Sequence, residues 1–528
     1  MLRKIFAVLL ISFFIISLVP MSAFAQEKSA NAPGGNVTTP DELVHALGTN
    51  GIVYQNGIIK IVKDVVLSKS VNITSGSYVV VGEGASITGD FDGDLFIISG
   101  EGTSLTLGDQ MAAENKSDLI FDAGNTVRDG SVFRVEKGAK LEMCSSVVIK
   151  NAMTSVSGAA VYNEGEFTMF GGEIENCRAS SSGGAVYNSG TVTLASGTIK
   201  NCSANHGGAV YSEGKAAFVA ITILGCNAPN GGAVFNTGEM QYLSASITEC
   251  SASAKGGAVY NSGKAVIMGG KINKNASETG EGGGIYNASE LELSGSVLTE
   301  NKAKNGGNIY NCGNVTTGEN FFLTSGNAIE KGGNVYNSEL GIFTQSTGAI
   351  NLGKAMYGGG VFNLGTYNLG GGIYANKAEV GEGILNHGKL VLVNKGNSES
   401  GDDIFVVLTP ENKHAVVVAE NWTYDRKPVP LSCGVYGNGK YEYSHSASSV
   451  LLDIKGSQNA SKHFTLHVNN TKLVISADGT LVNAPSSISS TVATVICVIF
   501  AYPLVTLAIV IAIRHFDKKK LVKNTETK

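Results

Sequence analysis

Acid–base cleavage of a polysaccharide needs carboxylates held close together, and calcium-assisted cleavage needs several oxygen ligands beside a basic residue. The middle of this 528-residue chain offers neither. Between Asp129 and Asp402 there is no aspartate, and Arg134 and Arg178 are the only arginines. Glutamates such as Glu173, Glu213, Glu239 and Glu281 stand singly at turn-like positions. Asp402 and Asp403 are adjacent, but read as a polar entry to a last turn of chain rather than as a metal or catalytic pair. His463 and His467 have the spacing of helical zinc ligands, yet their surroundings read as a strand. At ~3.3 Å per residue they would stand about 13 Å apart, too far to share one ion. With 68 glycines, chance matches to nucleotide-binding patterns are expected, and the helix that must follow them is missing. No catalytic residue, metal or cofactor is expected. What repeats with chemical content is aromatic: Tyr162, Tyr187, Tyr211, Phe235, Tyr260, Tyr286, Tyr310, Tyr336 and Phe362, every 24 to 26 residues.

A fixed period of this size means one supersecondary unit stacked on copies of itself. One unit reads Gly183-Gly-Ala-Val-Tyr-Asn-Ser-Gly190, Thr191-Val-Thr-Leu194, then Gly197-Thr-Ile-Lys-Asn-Cys-Ser-Ala204. Three short runs with aliphatic or β-branched residues at alternate positions are each closed by Gly, Asn or Ser, which is strand and turn chemistry. The leucine spacing of leucine-rich repeats, which have a similar period, is absent. The unit is therefore expected to be one rung of an all-β, right-handed parallel β-helix. Val186, Val192, Leu194 and Ile199 point inward because alternate strand residues share a face. The Gly-Gly pair supplies the tight corner. Some thirteen or fourteen rungs at ~4.8 Å make a rod roughly 65 Å long.

Register then defines three columns. If Val186 points in, Tyr187 points out, and the nine aromatics form a stripe up one face. Such a stripe suits sugars or a protein partner; the competing reading is cross-rung stacking that only stabilises, or is covered by turns. Asn163, Asn188, Asn236, Asn261 and their successors follow the aromatics directly, so their amides are placed to hydrogen-bond along the axis from a turn position. Cys177, Cys202, Cys226 and Cys250 share a third slot with Asn275 and Asn301, suggesting a small inward turn position. Bonds such as Cys177–Cys202 or Cys226–Cys250 lie within Cα reach in an exported chain. Buried thiols packed as small apolar groups are the preferred alternative, since in-register side chains run parallel.

The ends set compartment and topology. Residues 1–25 combine Arg3 and Lys4, an apolar run from Ile5 to Val19 and Ala23-Phe-Ala25, the pattern of a secretory signal. Residues 26–56 read as an N-terminal cap with a short helix. Thr39-Pro-Asp-Glu42 makes a capping box before Leu43-Val-His-Ala-Leu47, and the helix would cover the open first rung. The β-helix is expected over 57–401, with an excursion at Asp109–Asp129 that loops out. Residues 402–484 lose the period but keep strand character and read as a C-terminal β cap. After a linker at 485–490, residues 491–513 carry no charge and are long enough to span a bilayer. Arg514 and the lysines of 514–528 put that tail in the cytoplasm. The expectation is a single-pass plasma-membrane protein with its rod outside. The net charge of −5 gives no hint of nucleic acid.

Over about residues 149–386 the unit resembles the repeats of chlamydial polymorphic membrane proteins. Those carry Gly-Gly-Ala plus an aliphatic, seen here at Gly207-Gly-Ala-Val210 and Gly256-Gly-Ala-Val259, and Phe-x-x-Asn, seen here as Ile272-Asn-Lys-Asn275 and Leu298-Thr-Glu-Asn301. Ile or Leu replaces Phe, and a single apolar segment stands where that family has an outer-membrane barrel. The layout also resembles cell-surface β-helix proteins of Gram-positive gut bacteria, and similar repeats with a membrane helix occur in trichomonad parasites. The resemblance implies adhesion: a rod that binds a glycan or a host-surface protein without catalysis. A passive shielding protein is the second reading, and a polysaccharide lyase or glycoside hydrolase the third.

Overall fold

The computed structural model describes residues 30–108 and 119–393, and from there to 483 a series of strands and short flanking pieces. It is an all-β parallel solenoid of about 13 turns. The expected signal segment 1–25 and span 491–513 lie outside the described residues, as do Asp402, Asp403, His463 and His467. Among the described residues no helix is long and apolar enough to cross a membrane.

Each turn carries the three expected strands, represented by Val186–Asn188, Thr191–Leu194 and Thr198–Lys200. Each pairs in parallel with its equivalent one repeat away, Val186 with Val210, Val192 with Ala216 and Ile199 with Ile223. Val186, Val192, Leu194 and Ile199 are fully buried. No rung could bury this apolar surface alone, so removing it from water drives stacking at ~25 cal/mol per Å².

The two glycines of each corner do different jobs. Gly207 holds φ +63, where a side chain strains the backbone. Gly208 has no such constraint, but a Cβ there would collide with the carbonyl of Gly232 on the next turn. The opposite corner is also left-handed yet uses non-glycine residues: Asn176, Asn201, Glu249, Lys274, Glu300 and Leu352 have φ between 53 and 56. In five consecutive turns a fourth short strand follows that corner, from Asn227–Asn230 to Asn327–Lys331. The three-strand unit does not include it, because each such strand buries only one small residue, Ala228, Ala252, Ser277, Ala303 or Ala328, too weak a signal to read as a strand.

Helix α1 spans Pro40–Ala46, with Thr39 as N-cap and the reciprocal Thr39–Glu42 capping box. Leu43, Ala46 and Leu47 join the core. Parallel pairing begins earlier than residue 57, with Ala30–Ala32 on Val65–Leu67 and Gly35–Val37 on Val71–Ile73. Ile52–Gln55 and Ile58–Ile61 instead form an antiparallel hairpin, turned by Asn56 and Gly57 at positive φ.

Two boundaries drawn from the period shift. Leu119–Asp122 does not loop out with the rest of Asp109–Asp129. It pairs with Ala85–Ile87 and Val147–Lys150, burying Leu119 and Phe121. Nor does parallel pairing stop at 401. Ile404–Val407 joins Leu431–Gly434, and Val416–Val418 pairs on both sides with Leu390–Leu392 and Leu452–Ile454. The sequence intervals between these paired strands become unequal, so the period vanishes while the ladder continues.

Candidate functional site

The aromatic strand shows an inward–outward–inward alternation. Val186 and Asn188 are buried and Tyr187, between them, faces out. Register brings all nine aromatics into one column, Tyr162 on Tyr187, Tyr187 on Tyr211, and so on to Tyr336 on Phe362. Neighbouring ring centroids lie 4.7 Å apart for Tyr162–Tyr187, 5.6 Å for Tyr187–Tyr211 and 4.4 Å for Phe235–Tyr260, with interplanar angles of 19°, 5° and 6°. The rings therefore cover each other's faces. What the column offers outward is a ridge of ring edges and phenol oxygens, not the flat stacking platform that a stripe of aromatics suggests.

The two ends differ. At the N-terminal end the Arg134 guanidinium lies 4.6 Å from the centre of the Tyr162 ring and pairs with Glu164 at 3.5 Å. From Tyr162 to Tyr260, and again at Tyr310 and Tyr336, the rings are half-buried. Tyr286 is only 6% exposed, with the Lys255 ammonium 4.4 Å over its ring and 3.0 Å from its hydroxyl. Phe362 is 1% exposed and belongs to a second apolar cluster with Leu385, Phe405 and Val407, against which Tyr336, Tyr357, Val380 and Tyr441 pack. Tyr441 comes from the antiparallel hairpin of Val429–Gly437 and Lys440–Tyr443 and meets His387 Nε2 at 2.7 Å. Burial holds the pKa of His387 down to about 4, aided by Lys331. Burial, with the Glu213 carboxylate, pushes the Tyr187 phenol well above its ordinary value, and Tyr187 donates to Glu213 at 3.1 Å. The phenols are proton donors at neutral pH.

The asparagines after the aromatics are not turn residues but a column inside the core. Asn188, Asn236 and Asn261 are fully buried. Asn236 Nδ2 donates to Asn261 at 2.8 Å, Asn261 to Asn287 at 2.8 Å, and the chain runs on to Asn363 and Asn386 at 2.6 Å. Each amide also serves a carbonyl, as Asn261 Nδ2 does for Glu290 at 2.9 Å. The column breaks once. Ser212 accepts from Asn188 at 3.0 Å but its own hydroxyl turns to Gly214, leaving Asn236 Oδ1 buried without a partner.

Cys177, Cys202, Cys226 and Cys250 form a second inner column of buried free thiols. In that column Cys177, Cys202 and Cys250 each follow a non-glycine residue in the left-handed corner, and Cys226 follows Gly225. Cys202 N–H points at Cys226 Sγ at 3.4 Å, and Cys250 N–H donates to Asn275 Oδ1 at 2.9 Å. The slot wants a small acceptor for the backbone N–H of the turn before, which is why Cys and Asn share it. Burial pushes the Cys202 and Cys250 thiols up.

On the second face of the solenoid, exposed charges alternate in sign from rung to rung: Lys215 beside Glu239, Glu239 beside Lys264, Lys264 beside Glu290. Opposite charges directly across a ladder stabilise and like charges oppose it. Comparison with protein-family models, with curated proteins and with solved structures finds no match for this chain.

Proposed function

We propose that the chain is an adhesin-like binding rod, akin to the polymorphic-membrane-protein repeats it resembles, that holds a glycan or a protein of another cell or matrix without cleaving it. The observation that carries this reading is the length of ridge left open. From Tyr162 to Tyr260 five consecutive stacked rings keep their edges outward; further along Tyr286 and Phe362 are buried, while Tyr310 and Tyr336 between them are half-buried. Cross-rung stacking alone gives no reason for five consecutive rings to stay open while Tyr286 and Phe362 are buried. The signal-like segment 1–25 and the apolar segment 491–513 support export and anchoring, with α1 closing the distal first turn and the strands beyond 401 standing nearest the membrane. Phenol hydroxyls at rung spacing match the hydroxyl-rich edge of a saccharide or the backbone of an extended peptide.

A passive shielding role is the second reading, favoured by one observation: the rings bury their own faces against each other. The two separate on glycan and matrix-protein arrays. Wild type is expected to bind, and the triple variant Tyr211→Ser, Phe235→Ser, Tyr260→Ser to lose at least tenfold in affinity while its circular dichroism stays that of a β-solenoid. Unchanged binding by the folded variant sinks the ridge as a binding site. Tyr211→Phe, which keeps the stack and removes one hydroxyl, separates hydrogen bonding from contact area.

A further inference from the structure

A groove of about 820 Å³ runs along a different face, beside the left-handed corner, over the turns from Lys274 to Lys377. Its volume falls in the range of sites that hold small ligands. One wall is a column on the fourth-strand face: Lys302 pairs with Asn327, Asn327 with Lys354, and Lys354 with Lys377. All three lysines are exposed, and no carboxylate among the described residues lies within ion-pair distance of them. Lys354 and Lys377 are direct neighbours across the ladder, an arrangement that costs stability by like-charge repulsion. The alternating column of Lys215, Glu239, Lys264 and Glu290 shows that this chain can place opposite charges at the same spacing. The wall of Lys302, Asn327, Lys354 and Lys377 carries cations only, although Glu278 and Glu300 line the groove beside it.

A second observation marks the same place. Leu352, lining the groove between Lys302 and Lys377, is held at φ 53 with 50% of its surface exposed. That backbone belongs to the corner on turn after turn; what is particular here is the bulky apolar side chain that occupies it. It sets an apolar side chain beside the lysine column.

We infer that this groove binds an acidic polysaccharide, a saccharide chain bearing carboxylates or sulfates, laid along the axis of the rod. Two rungs separate Lys302 from Lys354, ~10 Å at ~4.8 Å per rung, close to the length of a disaccharide repeat. Leu352, on the turn of Lys354, is placed to meet the apolar face of a sugar ring beside that ammonium group. Nucleic acid fits less well. Its backbone charge is far denser than these few cations match, Glu278 and Glu300 also line the groove, Glu300 on the turn of Lys302, and no aromatic lines it for base stacking.

The test is the affinity of the full-length protein for heparin (sulfated), polygalacturonate (carboxylated) and dextran (neutral), with phosphatidylserine vesicles and single-stranded DNA as other polyanions. Wild type is expected to bind one or both acidic glycans over dextran, vesicles and DNA. Lys302→Gln, Lys354→Gln, Lys377→Gln together should weaken that binding at least tenfold and flatten its dependence on salt, while Lys354→Arg retains it. The site differs from the aromatic ridge, so the ridge triple variant should still bind the acidic glycan. Lys215→Gln, on the alternating face, should leave it unchanged. Equal loss with Lys215→Gln, no loss in the triple lysine variant, or preference for vesicles or DNA would each overturn the inference.

Discussion

Tyr260 and Asn261 are adjacent in sequence and sit on opposite sides of the same strand wall. Both repeat up the rod at the same spacing and both touch their copies above and below. The asparagine column is closed: its amides are buried, and each Oδ1 from Asn261 to Asn386 accepts from the asparagine one turn before. The tyrosine column is open along one edge, and only over part of its length. Repetition alone therefore says nothing about purpose. A column that satisfies its own polar groups out of water holds the fold, and one that leaves polar edges in water is available to something else.

The largest expected effect falls on the closed column. Asn287→Ala removes the acceptor of Asn261 and the donors to Asn311 and Ser289. Stranding buried polar groups should cost roughly 2–4 kcal/mol, read as a fall in the urea midpoint. Tyr260→Ser loses its contacts with Phe235 at 4.4 Å and Tyr286 at 5.0 Å. Two aromatic pairs amount to about 1–3 kcal/mol, so the stability loss should be smaller while any ligand binding falls further. Equal losses in the two variants would erase the distinction between the columns.

The roofed end of the stripe gives a pH-dependent version of the same contrast. His387, beneath Tyr441, is held neutral, with its value lowered from 6.5 to about 4. The unfolded chain thus binds the proton first, and stability contributed here is complete above pH 6.5 and falls as pH drops toward 4. Thermal unfolding followed by Tyr441 burial should shift downward over that window, and His387→Phe should flatten the shift.

The smallest effect is a repair. Ser212→Asn gives the orphaned Asn236 Oδ1 a donor and should raise stability by about 1 kcal/mol. A destabilising result would mean that the slot at Ser212 has no room for an amide.

The solenoid was legible because Gly-Gly-Ala-Val-Tyr-Asn fixes its own register, and an in-register parallel ladder follows from a constant period. The inward valines and outward tyrosines followed from alternation. Asn188 was harder: alternation puts it inside with Val186, but its polarity argued for a turn. What decides is that stacked amides satisfy each other across rungs, a relation between turns that no single repeat displays. The same holds for Leu119–Asp122, which belongs to the ladder only through its neighbours: Leu119 pairs with Ala85 on one side and Val147 on the other. Those separations differ from each other and from the period, so spacing alone could not place the segment. The lysine groove was missed for a related reason. Asn301-Lys302, Gly353-Lys354 and Asn376-Lys377 occupy one repeat position, and only alignment of the left-handed corners lines them up.

The most direct measurement is a paired assay on Tyr211→Ser/Phe235→Ser/Tyr260→Ser and Asn261→Ser, each scored for array binding and for its urea midpoint. The aromatic variant should lose binding at least tenfold while still folded. Asn261→Ser should lose midpoint but bind normally wherever it is folded. Normal binding by the aromatic variant, or loss of binding in folded Asn261→Ser alone, would contradict the distinction between the columns.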